Sequence, residues 1–460
     1  MIQSTVGFIV FGVHKDGLKD PMGSLWVDEN IIAQSKEVLK KQGVKLVEHD
    51  TVIATKEEAR TALKKMKNDD SIDAVILFSG TWVWSSNIIA AVRDFAISGK
   101  GLCLWTHPGS QGWRPVGGLV MHGALLEVGI SHKFIYGGAD EPEEVDQVVS
   151  FCRAAHLKNS LNMSTIGTFG GRGMGQTVGV ADPSQWMRHF GIDIDSRDTT
   201  ALIRTAEEIT ENELKSLEPR LEQLFGGLPE KNIPNERSMR LYLAIKKIIE
   251  KEKWDFYTIQ SFPGLGDDYC ATSFAQSMIL EDRIPTSTLG DFNTALTVYL
   301  LNALSDEPIY YGDLQHIDKK KKEIKIIGDG AIPPSLAGKV GPAGFSQHGI
   351  PTEGAAGGMA VHLVCKVGEG VLARLGRVNG CFQMVICPVS IFEPPADQLK
   401  GRLEECGIPF WPHGFVTPHG DMEKLVQAWT NEYACLGYGK EVAPALLDFC
   451  ALTGIEAIVP

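Results

Sequence analysis

The chain has no excess of positive charge. Its 44 lysines and arginines stand against 57 aspartates and glutamates, for a formal net charge of −13. That balance disfavours nucleic acid or an anionic membrane surface as the main partner, and neither is expected. No apolar run is long enough to cross a membrane. The short apolar run from Val6 to Val13 has no basic segment before it and no small-residue cleavage site after it. It predicts a first strand and not a secretion signal, and a cytoplasmic location is expected. Zinc-type cysteine spacing is also missing. The nine cysteines are scattered, and the closest pair, Cys381 and Cys387, is not spaced as zinc ligands are. Cys103, Cys365 and Cys435 sit in apolar, strand-like runs, so buried free thiols in a reducing compartment are expected. Internal repeats and low-complexity tracts are absent as well.

What is present is an ordinary globular composition, 43% hydrophobic and 22% charged over 460 residues. That length predicts two or three domains. Over the first 160 residues strand-like and helix-like patterns alternate. TVGFIVFGV, VKLVEH, DAVILFSG, GLCLWTHPG and HKFIYGG read as short strands. DENIIAQSKEVLKKQG and KEEARTALKKMKN show helical spacing, the first with an acidic start and a glycine stop. The alternation predicts a parallel sheet wrapped by helices. Ligands of such sheets meet the loops after the strands' carboxyl ends, which are GTWVWSSN and THPGSQGWRP in this part of the chain. A second α/β block begins near MSTIGTFGG. Beyond about residue 306 short, turn-bounded strands dominate, which favours a β-barrel or sandwich. The fold class expected is therefore α/β, with two α/β domains carrying parallel sheets and a C-terminal β-barrel-like domain. The boundaries fall at residues 1–162, 163–306 and 307–460.

The segment FGGRGMGQ, starting at Phe169, follows a strand. A dinucleotide loop needs Gly-x-Gly-x-x-Gly. Counted from Gly171 the loop supplies Gly173, but residue 176 is glutamine, and the Gly-Lys-Ser/Thr ending of a phosphate loop is missing. A nucleotide is not expected. A structural turn that needs glycine dihedrals, or a loop whose backbone N–H groups and Arg172 hold a polar ligand, both fit.

FGGRGMGQ with ADPSQWMRHFGIDID resembles the Gly-Gly-Arg-x-Met-Gly segment of the L-fucose isomerase and L-arabinose isomerase superfamily. TLGDFNTAL, EPIYYGDLQHID, GDGAIPPSLAG and GVLARLGR extend the resemblance in the family's order. It implies an N-terminal α/β domain, a central α/β domain and a C-terminal β-barrel. It also implies an aldose–ketose isomerase that uses a divalent metal, most often Mn²⁺, on a small-molecule sugar. A homo-oligomer, hexameric in the family's habit, is implied too. Two acid/base groups flanking an enediol and a cation on its oxygens would serve that chemistry.

The chain departs from the family where the metal would sit. The family's Glu-Gly-Asp reads Leu289-Gly290-Asp291, the family histidine before PPSLA falls at Gly328 beside Asp329, and the last falls on Asn431 and Glu432. Asp313 keeps an acid in YYGD. Asp267 and Asp291 are therefore the expected catalytic acids, and Asp291, Asp268 and Glu432 the expected ligands of a rebuilt metal site. Trp82, which falls where the family has a pocket-wall tryptophan, is an expected substrate contact. So are Gln111, Trp113 and Arg114 on the next strand-end loop, Arg172 in the glycine loop and His348 in a Gly-rich loop. His413 and His419 lie on a further loop. A divergent site suggests an unusual substrate. One alternative is a sugar with an anionic C6 group such as sulfoquinovose, its sulfonate held by Arg172, Arg114 and a histidine. Another is a catalytically inactive sugar-binding paralogue.

Overall fold

A computed structural model of the chain describes residues 3–13, 27–109, 113–348, 355–405 and 407–460. The fold is α/β, and it divides into two compact units. One is Met1–Ser160 with Pro444–Thr453, the other Leu161–Ala443 with Gly454–Pro460.

The first unit alternates β1 (Thr5–Phe11), α1 (Glu29–Lys41), β2 (Lys45–Glu48), α2 (Lys56–Lys67), β3 (Ala74–Ser79), α3 (Ser85–Ala96), β4 (Gly101–Thr106), α4 (Arg114–Glu127), β5 (Lys133–Tyr136) and α5 (Pro142–Leu161). Among the described residues its sheet has the order β2-β1-β3-β4-β5, with every pairing parallel. The central strands are apolar throughout because helices cover both faces. Ile9, Phe11, Val75 and Leu77 enter one core, while Phe8, Val10, Ile76, Phe78 and Trp105 enter the other. Successive residues of a strand point to opposite faces, and this sorts them. Local signals start the helices: Asp28 accepts from the backbone N–H groups of Asn30 and Ile31, and Thr55 with Glu58 forms a capping box on α2. Asp448 in the returning segment binds Lys133 at 2.8 Å and Ser150 at 3.0 Å.

The second unit begins with β6 (Thr165–Phe169), α6 (Pro183–Phe190), β7 (Asp193–Arg197), α7 (Thr199–Glu207), α8 (Glu211–Lys215), α9 (Glu218–Phe225), α10 (Ile233–Glu252), β8 (Phe256–Ile259), α11 (Ser273–Glu281), β9 (Thr286–Ser287) and α12 (Phe292–Leu304). Its parallel sheet runs β7-β6-β8-β9. A β-rich part follows: β10 (Tyr310–Asp318), β11 (Glu323–Ile327), β12 (Gly344–Gln347), β13 (Met359–His362), β14 (Gly368–Val378), β15 (Cys381–Ile391), α13 (Leu399–Glu404), β16 (His413–Pro418), α14 (Met422–Ala428), β17 (Tyr433–Tyr438), α15 (Val442–Thr453) and β18 (Glu456–Ile458). Its main sheet has the order β14-β17-β10-β11-β16-β15-β18, with a further β14–β15 pairing, and is antiparallel except for β15–β18. Residues 319–322, the lysine run, turn the chain from β10 to β11, and Asp318 accepts from the N–H groups of Lys320 and Lys321.

The described cysteines are all free, and only Cys381 is exposed. Burial pushes the Cys270 and Cys365 thiols up to about 12. Among the described residues no helix is long and apolar enough to cross a membrane.

Candidate active site

Three loops leave the carboxyl ends of β6, β8 and β9 in the second unit and are stitched to one another. The Gly171 N–H donates to Gln260 Oε1 at 2.9 Å, that of Gly173 to the Leu289 carbonyl at 3.0 Å, and that of Met174 to the Phe262 carbonyl at 3.3 Å. The Phe292 N–H closes the loop onto the Gly179 carbonyl at 2.9 Å. A side chain at Gly173 would meet the Leu289 backbone at 2.8 Å. Gly173 is therefore a packing requirement, and these backbone donors are spent on the protein, leaving none of the three for a ligand. What the loop offers outward is Arg172. It is exposed, and its guanidinium makes no hydrogen bond or ion pair among the described residues.

Asp291 caps α12, accepting from the Thr294 N–H at 2.9 Å and hydroxyl at 2.8 Å. Asn431 Nδ2 donates to it at 2.9 Å, and Arg374 Nη2 pairs with it at 2.8 Å, the two side chains 1% and 0% exposed. Arg374 also binds the Thr294 hydroxyl through Nη1. The expected metal ligand is thus a fully partnered carboxylate whose counter-charge is a guanidinium. Asp267 and Asp268 are exposed on the otherwise buried turn Leu265–Tyr269, where Asp267 accepts from the Ala355 N–H at 3.1 Å. Glu432 is half-buried and accepts from Gln176 Nε2 of the glycine loop. Among the described residues no group of three or more His, Cys, Asp or Glu side chains is placed to hold a metal. Asp291, Asp268 and Glu432 do not assemble as a donor set, because caps, amides and Arg374 already occupy the buried carboxylate. Among the described residues, those present do not fit Mn²⁺.

The structure does bring the glycine loop, the Gly-Asp segment and the segment Asn431–Tyr433 together. Tyr433 shares a hydrogen bond of 3.1 Å with Thr288, the residue after β9, and meets the Tyr311 ring edge-on at 5.7 Å. Burial, then the charge of Asp329, holds both phenols well above their ordinary range, so they stay protonated. His348 is buried, 3.2 Å from the Ser273 hydroxyl, with Phe262 and Trp411 at ring distances of 5.3 and 5.5 Å. It packs inside the unit and is not presented on an open loop. His413 likewise belongs to β16 and is fully buried. Gln176, Gln260, Thr288 and Arg374 were not singled out from sequence. For Arg374 a signal existed: it is the one charge in the apolar run Val371–Leu375, which demands a buried partner.

In the first unit, Trp82 follows β3, half-buried, with its ring 4.6 Å from that of Trp84. Trp113 is 46% exposed, and Arg114, the first residue of α4, is buried. These three lie at the carboxyl ends of their own sheet. Gln111 lies outside the described residues.

No family model matches the chain. Over 337 residues it is 24% identical to the sulfoquinovose isomerase of Clostridium sp. (strain MSTE9), a match that covers 71% of each chain. Two solved structures, both solute-binding proteins of ABC transporters, give only faint likenesses. The one from Burkholderia multivorans has 11% identity and a TM-score of 0.20, covering 66% of this chain and 93% of that one. The other, from Actinobacillus succinogenes with bound D-allose, has 13% identity and a TM-score of 0.19, covering 66% and 90%. Scores that low carry no argument. The curated relative supports an enzyme, an aldose–ketose isomerase.

Proposed function

We propose that the chain is a sugar isomerase of the fucose and arabinose isomerase kind, acting on sulfoquinovose or a closely similar aldose with an anionic C6 group. The similarity to a sulfoquinovose isomerase over 71% of the chain carries this reading. The geometry supports it. One loop bears an exposed guanidinium, Arg172, unpaired among the described residues, and through Gln176 also reaches the half-buried carboxylate of Glu432. An anionic sugar needs both: a fork for its sulfonate and a carboxylate to move a proton.

In this reading Glu432 takes the C2 proton of the open-chain aldose. O1 takes up a proton to give the enediol; O2 then releases its proton as C1 receives one, so that the carbonyl ends at C2. Asp291 acts by position, holding the Gly-Asp segment and Asn431 beside Glu432. The described residues offer Mn²⁺ no donor set, and these steps use none.

Nuclear magnetic resonance of sulfoquinovose incubated with the full chain in D₂O tests the proposal. The expected product is the ketose with deuterium at C1. Arg172→Lys, which keeps the charge but loses the fork, should cost about thirtyfold in kcat/KM on the sulfonated sugar, about 2 kcal/mol, and little on a neutral one. Folded protein that binds these sugars without turning any of them over would make the chain a sugar-binding paralogue. Metal analysis of the purified chain is the companion measurement. A stoichiometric divalent ion that Asp291→Ala removes would return Asp291 to a metal.

A further inference from the structure

We propose that the second unit carries a small-molecule site between α8, α9 and α10. Its ligand is a hydrophobic ammonium compound, an apolar chain or ring bearing one cationic amine. The inference uses no residue of the candidate active site and stands independently of the proposed reaction.

The three helices enclose a cavity of about 340 Å³, a volume within the range of small-molecule sites. All of its lining residues fall between Glu211 and Met239, a continuously described stretch. Gly226, at φ +71°, ends α9 and turns the chain into the connector that leads to α10. That connector is held at both sides of its turn into α10. Asn232 accepts from the Asn235 N–H at 2.9 Å, and Asn235 Nδ2 donates to the Glu230 carbonyl at 2.9 Å. Arg240 Nη2, from α10, meets Glu211 at 2.9 Å and Glu236 at 2.7 Å, which ties α8 to α10. The walls are therefore preformed, and a ligand need not order them. Among the apolar lining, Leu214 and Leu221 are buried, whereas Leu228 and Ile233 are 40% and 69% exposed. An apolar body seated among them takes the second pair out of water, which favours it.

Charge selects the class of ligand. Four carboxylates line the cavity, Glu211, Glu218, Glu230 and Glu236, against two ammoniums, Lys215 and Lys231. Both lysines are exposed, so their charges stay in water, while Glu218 and Glu236 are half-buried. Glu211 and Glu236 share the one guanidinium of Arg240. Among the described residues neither Glu218 nor Glu230 has a side-chain hydrogen bond or ion pair. Glu218 opens α9, whose first N–H groups favour negative charge, so a carboxylate is tolerated there without a basic partner. An ammonium offers charge-assisted donors to such a carboxylate, and the apolar lining takes the rest of the molecule. An anionic ligand of the same shape would meet like charge instead.

The test is calorimetric titration of the full chain with hexylammonium chloride, n-hexanol and sodium hexanoate, which share one apolar chain and differ in charge. Saturable binding of hexylammonium at a single site is expected, about fivefold tighter than that of n-hexanol, with hexanoate the weakest. Glu218→Gln should bring hexylammonium down to the affinity of n-hexanol. Leu228→Ser should weaken both about fivefold, and Lys41→Gln on α1 should change neither. Absence of saturable hexylammonium binding overturns the proposal, and so does n-hexanol or hexanoate binding as tightly. Parental affinity in folded Glu218→Gln, or in Leu228→Ser, also overturns it. If Glu218→Gln does not fold, Glu230→Gln on the connector decides, and parental affinity there overturns the site.

Discussion

Asp291 and Arg374 meet at 2.8 Å with both side chains out of solvent. Pairs of this kind are costly to break from one side, since the surviving charge stays buried without its partner. Asp291→Ala should therefore lower stability by about 3–5 kcal/mol, seen as a fall in urea midpoint. Adding Arg374→Met should restore much of that loss, because it removes the orphaned charge. A single variant as stable as the parent would show that the pair is dispensable. His413 supplies a second residue-scale prediction. Burial, then the nearby Lys325 ammonium, pushes its imidazole down to about 3. The unfolded chain takes up that proton at a higher pH, near 6.5. His413's share of stability is complete above about pH 6.5 and declines as the pH falls toward about 3. Melting temperatures measured from pH 7.5 to 4.5 should fall, and the fall should be shallower in His413→Gln. Parallel curves for parent and variant would assign the acid sensitivity elsewhere.

The elements that matter most are the loops after β6 and β9. Gly179 ends the glycine loop at φ +80°, and a Cβ there would stand 2.6 Å from Asp291 Oδ1. Gly179→Ala adds both backbone strain and a clash with the best-partnered carboxylate of the site. A loss of about 1–3 kcal/mol is expected. It should appear as a lower melting temperature together with reduced turnover, because the same loop carries Arg172 and Gln176. Melting and turnover like the parent's would mean that the loop yields without consequence. This loop also shows what a motif can and cannot say. That it is a glycine-rich loop after a strand, and no nucleotide motif, was legible in the sequence. That its N–H groups donate to Gln260, Leu289 and Phe262 was not, since those acceptors lie far off in the chain.

For the whole molecule, the expectation of a homo-oligomer has a surface to rest on. The outer face of α4 shows Val116, Leu119, Val120 and Leu126 to solvent, Leu126 being 61% exposed. Apolar residues at that spacing form one stripe of a helix, and contiguous patches of this kind mark contact sites. Light scattering at micromolar concentration should give more than one chain per particle, and Leu119→Glu with Leu126→Glu should shift the mass toward a monomer. A monomeric parent would contradict the expectation.

Local rules were enough for much of this. Short apolar runs specified β1, β3 and β4, and helical spacing, with an acidic start for the first, announced α1 and α2, because these signals act within a few residues. The alternation of the first 160 residues implied a parallel sheet for the same reason. Long-range choices lay beyond such rules. Whether Asp291 faced a metal or a guanidinium depended on Arg374, 83 positions away (374 − 291) and on another sheet. Whether Asp267, Asp268, Asp291 and Glu432 met in space depended on which loops packed together. Asp291 and Asn431 came into contact, while Asp267 and Asp268 stayed exposed on their turn. His348 and His413 read as loop residues, and burial made both of them interior. A charge's partner is chosen by packing, since the cost of leaving it unpaired is set by the surroundings that the tertiary fold builds around it.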